Sequence, residues 1–385
     1  MAQPLPPGPP FGGIVVRVSD EIRNRIRRTQ RRTAAAGIDA LLVSPGADLR
    51  YLTGYDAKPL ERLTCLVLPA DGDPVLIVPL LERSAAKAAA VEGLGLGIAT
   101  WQETEDPYAL TASHLRGMTS VAVDNHMWAE KVLQLRAALP DAEQVLAGPV
   151  LRELRMRKTP AEVHALRDAG AAIDRVHMRM GEWLRVGRTE REVGADIAGA
   201  IIDEGHVQVD FVIVGSGPHG ASPHHEVSDR VIQAGETVVV DIGGTTAAGY
   251  CSDSTRNYVV GHHPPDDYAE YFAVLRAAQE AQCTYARPGV TAESVDAVGR
   301  EMIAAAGFGA AFIHRTGHGI GMETHEDPYI VEGNDLVLEE GMAFSIEPGI
   351  YLEGRHGARI EDIVVCTADG AERLNDTPRD LVTLG

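Results

Sequence analysis

The chain has 385 residues, 45% of them hydrophobic, enough for two domains with separate cores, and its 55 Asp and Glu against 35 Lys and Arg give a formal charge of -20. That balance leaves no basic field to hold phosphates and argues against a nucleic-acid or anionic-membrane partner. Cys65, Cys251, Cys283 and Cys366 form no C-x-x-C and lie in apolar contexts, which disfavours a zinc knuckle or a disulfide framework and points to buried thiols in a reducing compartment.

The N-terminus carries no charged stretch followed by an apolar run, and no segment approaches the roughly 20 apolar residues of a membrane span, so a cytoplasmic location is expected. Residues 1–16 include Gln3-Pro4-Leu5-Pro6-Pro7-Gly8-Pro9-Pro10, the composition of a solvated, flexible tail. Ser19 can cap a basic helix reaching Ala36, with Gly37 as its stop before the strand Ala40-Leu41-Leu42-Val43. Further strands are expected from Thr64 to Leu68, Pro74 to Val78 and Ser120 to Val123, with helices near Glu82 to Val91 and Trp128 to Ala138. Residues 17–152 therefore read as a smaller α/β layer domain. No G-x-G-x-x-G follows a strand, so a dinucleotide site has no support.

The pattern changes near residue 153. Thr159 as N-cap, Pro160 at the first helical position and Glu162 three residues after the cap make a strong helix start. Two long helices are expected, about Pro160 to Leu184 and Glu190 to Glu204, the second capped by Thr189 or a neighbour. From Val209 onward strands dominate, broken by helices near Tyr268 to Ala286 and Ala292 to Ala306. Residues 153–385 thus read as an α+β domain with a curved, largely antiparallel sheet.

Five residues of metal-ligand type lie in the apolar runs of this half. Thr237 to Ile242 and Gly249 to Val260 are joined by a Gly- and Thr-rich bend, and Asp241 and Asp253 are symmetric about Ala247 within it. A regular hairpin would set the two close to opposite one another, where unscreened carboxylates repel. His318 lies between glycines that permit close approach of the backbone to a ligand. Glu347 follows a strand that stops at Pro348-Gly349, and Glu361 sits in the apolar run ending Ile363-Val364-Val365. Singly, each is as well explained as a solvated hairpin or strand-edge charge. Together they would bury about four uncompensated negative charges, at several kcal/mol per ion. Two divalent cations would neutralise them.

The series V-V-V-D-I-G-G, G-Y-C-S-D-S-T-R, H-R-T-G-H-G-I-G, H-E-D-P, I-E-P-G-I-Y and R-I-E-D resembles, in order, the proline-specific branch of the "pita-bread" metallopeptidases, the prolidases and aminopeptidase P. Tyr51-Leu52-Thr53-Gly54 extends the resemblance to that family's non-catalytic N-terminal domain. The resemblance implies a pita-bread catalytic domain behind a creatinase-like N-domain, in a homodimer. It also implies that Asp241, Asp253, His318, Glu347 and Glu361 bind two metal ions, and that His224 and His325 hydrogen-bond the reacting carbonyl. Glu347 would in addition be the general base. An oxygen-rich ligand set suits manganese better than zinc, with cobalt or zinc as substitutes. Arg359, two residues before Glu361 on the same strand face, would orient a ligand carboxylate. His219 and His225 flank His224 and compete with it for the catalytic assignment.

The implied substrate is a small peptide with proline at its second position, whose tertiary amide resists ordinary peptidases. A prolidase acting on Xaa-Pro dipeptides must hold a free carboxylate, whereas aminopeptidase P leaves that side open. Some prolidases carry an arginine just after H-E-x-P; here the position is Tyr329, and Arg62 and Arg355 are the basic residues considered in its place. The expectation is an Xaa-Pro dipeptidase, with aminopeptidase P as alternative. A metal-free creatinase-like hydrolase or a non-catalytic binding module would have no need of the five ligands.

Overall fold

A computed structural model describes residues 12–89 and 91–385. Residues 1–11 of the expected tail lie outside it. From Gly12 the backbone is already helical, so the first helix, α1 (Gly12–Ala35), begins seven residues before Ser19 and includes the last five residues of that expected tail. A serine cap is only a local preference, and Ile14-Val15-Val16 upstream contain no proline to stop the helix. The chain divides into two compact units, one ending at Leu154 and one beginning at Arg155. No described helix is long and apolar enough to cross a membrane.

In the first unit α1 leads to β1 (Ala40–Val43), α2 (Ala47–Thr53), β2 (Cys65–Pro69), β3 (Val75–Pro79), α3 (Arg83–Ala88), β4 (Gly97–Trp101), α4 (Pro107–Ser113), β5 (Ser120–Val123), α5 (Ala129–Ala138), β6 (Glu143–Leu146) and α6 (Gly148–Arg155). The strands form one sheet in the order β4-β3-β2-β1-β5-β6, mixed in direction, with Leu42, Val67, Ile77 and Val121 packed with Leu135 of α5. Tyr51-Leu52-Thr53-Gly54 has a structural purpose: Gly54, at φ 70°, ends α2 as a left-handed cap donating to Arg50 O.

The second unit opens with α7 (Pro160–Met178), whose capping box is complete: Thr159 N donates to Glu162 Oε2 at 2.8 Å and Thr159 Oγ1 accepts from Glu162 N. The helix stops before the expected Leu184, and Met180–Glu182 form a 3-10 turn. α8 (Glu190–Asp203) has a second capping box on Thr189. There follow β7 (His206–Ser216), β8 (Glu236–Thr246), β9 (Cys251–Val260), α9 (Tyr268–Tyr285), α10 (Ala292–Ala305), β10 (Gly317–Gly319), β11 (Glu326–Ile330), β12 (Ala343–Ile346), β13 (Gly349–Leu352), β14 (His356–Arg359), β15 (Asp362–Thr367), β16 (Gly370–Arg373) and β17 (Val382–Leu384). Three sheets result, β17-β9-β8-β7, β11-β10-β12-β15-β16 and the ribbon β13-β14.

Strand alternation is what creates the site. Val238, Val240 and Ile242 of β8 pack with Ile173 and Val176 of α7 and with Val193 and Ile197 of α8. Each such burial contributes about 1.5–3 kcal/mol. Because side chains alternate, the same strand must turn Asp241 to the opposite face. The hairpin register differs by two residues from the expected symmetry: Asp241 pairs with Thr255 and Asp253 with Gly243. The reason is the bend, where Gly249 at φ 86° and a Thr246–Tyr250 closure shift the centre of the turn to residue 248. The two aspartates are therefore diagonal neighbours on one face, not an opposed pair.

Candidate metal centre

Asp241 stands in mid β8, Asp253 in β9 and His318 at the centre of β10, while Glu347 occupies the link from β12 to β13 and Glu361 the link from β14 to β15. All five line one cavity of about 1020 Å³ in the second unit, together with His224, His325, Arg315 and Arg359. Ligand atoms of Asp253, His318 and Glu361 lie within 4.8 Å of one another. His318 Nε2 is 3.1 Å from Glu347 Oε1 and 3.8 Å from Asp253 Oδ2. Asp241 Oδ1 is buried with no hydrogen-bond partner. A buried acceptor left in that state costs about 1–3 kcal/mol unless something else occupies its lone pairs.

His318 is held in place by tight backbone packing. A Cβ on Gly317 would come within 1.9 Å of Ser345 O, and one on Gly319 within 2.1 Å of Asp327 O. The flanking glycines thus let β10 pass between its neighbours; the expected role of admitting a ligand to the backbone is not what fills that space. Glu361 lies outside the named strands, joined to Thr255 by an isolated bridge and by a 2.9 Å bond from Thr255 Oγ1 to its Oε2.

The electrostatics of the cluster follow from burial. Desolvation, then the charges of Asp241 and Glu347, push the carboxyl of Asp253 well above its ordinary range. Glu361 is raised in the same direction by burial and by Asp253. Burial would raise Glu347 too, but the hydrogen bond and charge of His318 hold it down to about 2. Burial and the neighbouring His318 push His325 down to about 4, so its ring is neutral near pH 7. The rings of His318 and His325 are 3.9 Å apart between centroids.

Arg359 ends β14, and Glu361 lies beyond that strand, so the two do not share one strand face as expected. Its guanidinium instead reaches across to Asp241 Oδ2, and also donates to Tyr351 OH at 2.8 Å and Thr255 Oγ1 at 3.1 Å. His224 and His225 both line the cavity, but only His225 is anchored away from it, on Glu190. His219 also rests on Glu190 and does not line the cavity.

Three further residues escaped the sequence reading. Arg315, inside the H-R-T-G-H-G motif, lines the cavity with its guanidinium 4.5 Å above the ring of Tyr329. Glu326, within H-E-D-P, is buried against Arg155 and Lys158. Glu190 gave no signal beyond its place after a capping threonine. Burial opposes ionisation of Glu190, but hydrogen bonds from Ser228, Ser216 and His225 outweigh it and bring the carboxyl down to about 2. Of the two arginines considered as carboxylate anchors, Arg355 pairs with Asp267, with its side chain 57% exposed, and is not among the cavity residues. Arg62 belongs to the first unit, where Glu103 and Glu61 hold it.

Residues 164–368 match metallopeptidase family M24, and residues 25–157 match the creatinase/prolidase N-terminal domain. An Xaa-Pro dipeptidase of Lactobacillus helveticus is 40% identical over 354 residues, covering 89% of this chain and 94% of that protein. The crystal structure of dipeptidase PepE from Mycobacterium ulcerans superposes with a TM-score of 0.91 at 52% identity, covering 95% of this chain and 98% of that one. A prolidase from Thermococcus sibiricus gives a TM-score of 0.88 at 37% identity, with 94% and 99% covered. Carrying a creatinase-type N-terminal domain ahead of its catalytic one, the chain belongs to the M24 metallopeptidases, hydrolases that work with divalent metal ions.

Proposed function

We propose that this chain hydrolyses the Xaa-Pro bond of dipeptides, using two divalent cations held by Asp241, Asp253, His318, Glu347 and Glu361. The observation that carries the reading is the convergence of these five side chains in one cavity that also contains Arg315. The donor set fits such a pair: four carboxylates and one imidazole offer mostly oxygen, and the orphaned Asp241 Oδ1 supplies a buried acceptor awaiting a cation. Manganese is the ion this set favours, with cobalt or zinc able to substitute. When bound, the cations would polarise the scissile carbonyl and lower the pKa of a water.

The chain's own residues provide the rest. His224 and His325, both on the wall of the cavity, donate hydrogen bonds to the carbonyl oxygen as it gains charge. A neutral His325 can do so while leaving its second nitrogen as an acceptor. Ser345 Oγ donates to Glu347 Oε1 at 3.0 Å and His318 Nε2 lies 3.1 Å from the same oxygen, so Oε2 is the oxygen available to take a proton and return it to the leaving proline nitrogen. Arg315 answers the need for a carboxylate anchor. Where some prolidases have an arginine, Tyr329 instead holds the guanidinium of Arg315 by its ring face.

Residues 17–152 are assigned as the non-catalytic N-domain and residues 153–385 as the catalytic domain of a cytoplasmic homodimer. Four free, buried cysteines support a reducing compartment, and the dimer rests on resemblance alone; light scattering tests it. The function itself is tested by incubating metal-loaded enzyme with an Xaa-Pro dipeptide and an Xaa-Pro-Xaa tripeptide. Preferential cleavage of the dipeptide is expected, and preference for the tripeptide would replace this reading with an aminopeptidase.

A further inference from the structure

Glu190, the first residue of α8, is fully buried and faces five donor groups. Ser216 N and Oγ reach Oε1 at 2.9 and 2.7 Å, and Ser228 Oγ reaches Oε2 at 2.6 Å. Two imidazoles complete the set. His219 Nδ1 is 3.0 Å from each carboxylate oxygen, and His225 Nε2 is 2.8 Å from Oε2. The two rings lie against each other with centroids 4.2 Å apart.

We infer that Glu190, His219 and His225 form a further divalent-cation site, suited to zinc and separate from the five-residue centre. Their ligand atoms all lie within 4.8 Å of one another. In a tetrahedral zinc site with bonds of about 2.0–2.1 Å, ligand atoms are separated by roughly 3.3 Å, so the present nitrogen–oxygen distances need open by only a few tenths of an ångström. Two histidines and one glutamate are a recurrent zinc ligand set, with the fourth position left to water. That position is accessible here, because the His219 side chain is 37% exposed while the Glu190 side chain is fully enclosed. Each ring nitrogen that now faces the carboxylate can release it by moving its proton to the other nitrogen of the same ring, so the cation enters without any net loss of protons.

The surroundings favour this use. The two serines that donate to Glu190 would remain in place, fixing the carboxylate as outer hydrogen-bond partners do at metal sites. A neighbouring guanidinium, that of Arg230, donates to Ser216 Oγ at 2.6 Å, but its charge is answered by Glu236, whose Oε2 is 2.8 Å from its Nη1. A cation here would also pin the segment that carries His224, since His225 follows it directly.

The site is independent of the reading of the acidic cluster, and the experiment separates the two. The manganese-loaded enzyme and its Asp253→Asn variant are exposed to zinc, freed of unbound ions by gel filtration, and assayed for total metal per chain by mass spectrometry. Each is compared with the same protein bearing His219→Gln or, separately, His225→Gln. The expected result is one metal ion fewer per chain with either histidine substitution, in both backgrounds. Equal metal content with and without the substitutions overturns the inference, even if Asp253→Asn has emptied the acidic centre.

Discussion

Arg359 Nη2 donates to Asp241 Oδ2, so the one guanidinium on the cavity wall that lies among the buried acids occupies one oxygen of Asp241 and leaves the other, Oδ1, without a protein partner. This arrangement presets which oxygen a cation meets. Arg359 is itself held at two further points by Tyr351 OH and Thr255 Oγ1, and Thr255 in turn donates to Glu361. A lysine keeps the charge but cannot span three acceptors. Arg359→Lys is expected to weaken metal retention by roughly 10- to 100-fold, the usual effect of losing an outer hydrogen-bond partner. Metal content after dialysis against graded chelator measures this, and unchanged retention would remove Arg359 from the centre's support.

Removing the cations leaves four acidic side chains and little compensating charge in the interior. Metal-free protein should therefore be destabilised, and added manganese should restore about 2.7 kcal/mol at a concentration a hundredfold above its dissociation constant. In Asp253→Asn that response should vanish, because one of the five ligands is gone. The metal-free variant should at the same time be more stable than metal-free wild type, since one repelling charge has been deleted. Thermal unfolding with and without chelator gives both comparisons; a variant less stable than wild type in chelator would contradict the charge argument.

His177, which is not one of the five centre residues, provides a pH dependence of its own. Its Nε2 faces Ser254 O at 3.1 Å and its Nδ1 faces Tyr258 OH at 3.0 Å, which a neutral ring satisfies as donor and acceptor. Burial, then the charge of Arg256, pushes the imidazole down to about 3 from its ordinary 6.5. Between those values the unfolded chain binds the extra proton, so stability rises with pH by at most about 1.4 kcal/mol per unit and is lost as pH falls below about 6.5. Metal-free His177→Gln should lack this slope. Its deficit relative to wild type should shrink by about 2 kcal/mol between pH 7 and pH 5 in urea titrations; a constant deficit would show that the ring does not carry the effect.

Glu326 lies buried between Arg155 and Lys158, with Lys158 Nζ 2.6 Å from its Oε1. Burial would raise this carboxyl, yet the charges of Arg155 and Lys158 hold it below its ordinary value. Glu326→Gln leaves two cations facing a neutral group, although Arg155 retains Glu323 at 2.7 Å. The expected loss is about 3–5 kcal/mol, typical of breaking a buried ion pair from one side. The urea midpoint should fall with an unchanged slope. Adding Lys158→Met should recover part of the loss, and strict additivity of the two substitutions would refute the coupling.

The elements that could be read from the sequence are those specified by short-range physics. The capping boxes at Thr159 and Thr189 and the apolar runs of β1, β5, β8 and β9 need no distant partner to be recognised. The short elements α2, β4, α4 and β6 were missed because a few residues carry too little periodicity to stand out. The four acids and the histidine announced themselves as metal-ligand types inside apolar runs. The hydrogen bonding of Arg359 to Asp241 and the clustering on Glu190 were not legible, since each joins residues far apart in sequence. The aspartate register is displaced by two residues for a different reason, the conformation of a four-residue bend that composition does not fix.

Arg315 supplies the sharpest test of substrate choice. An anchored carboxylate accepts hydrogen bonds from a charged donor, worth about 1.5–3 kcal/mol each, or roughly a 10- to 150-fold change in binding. Arg315→Gln should therefore raise KM for a free Xaa-Pro dipeptide by a factor in that range. It should leave KM for the corresponding C-terminal amide, which has no carboxylate to anchor, close to the wild-type value. Tyr329→Leu removes the ring 4.5 Å beneath the guanidinium and should shift the dipeptide KM in the same direction by a smaller amount. Equal changes for acid and amide would show that Arg315 shapes the cavity without reading the carboxylate, and would return the choice between dipeptide and longer substrates to other residues.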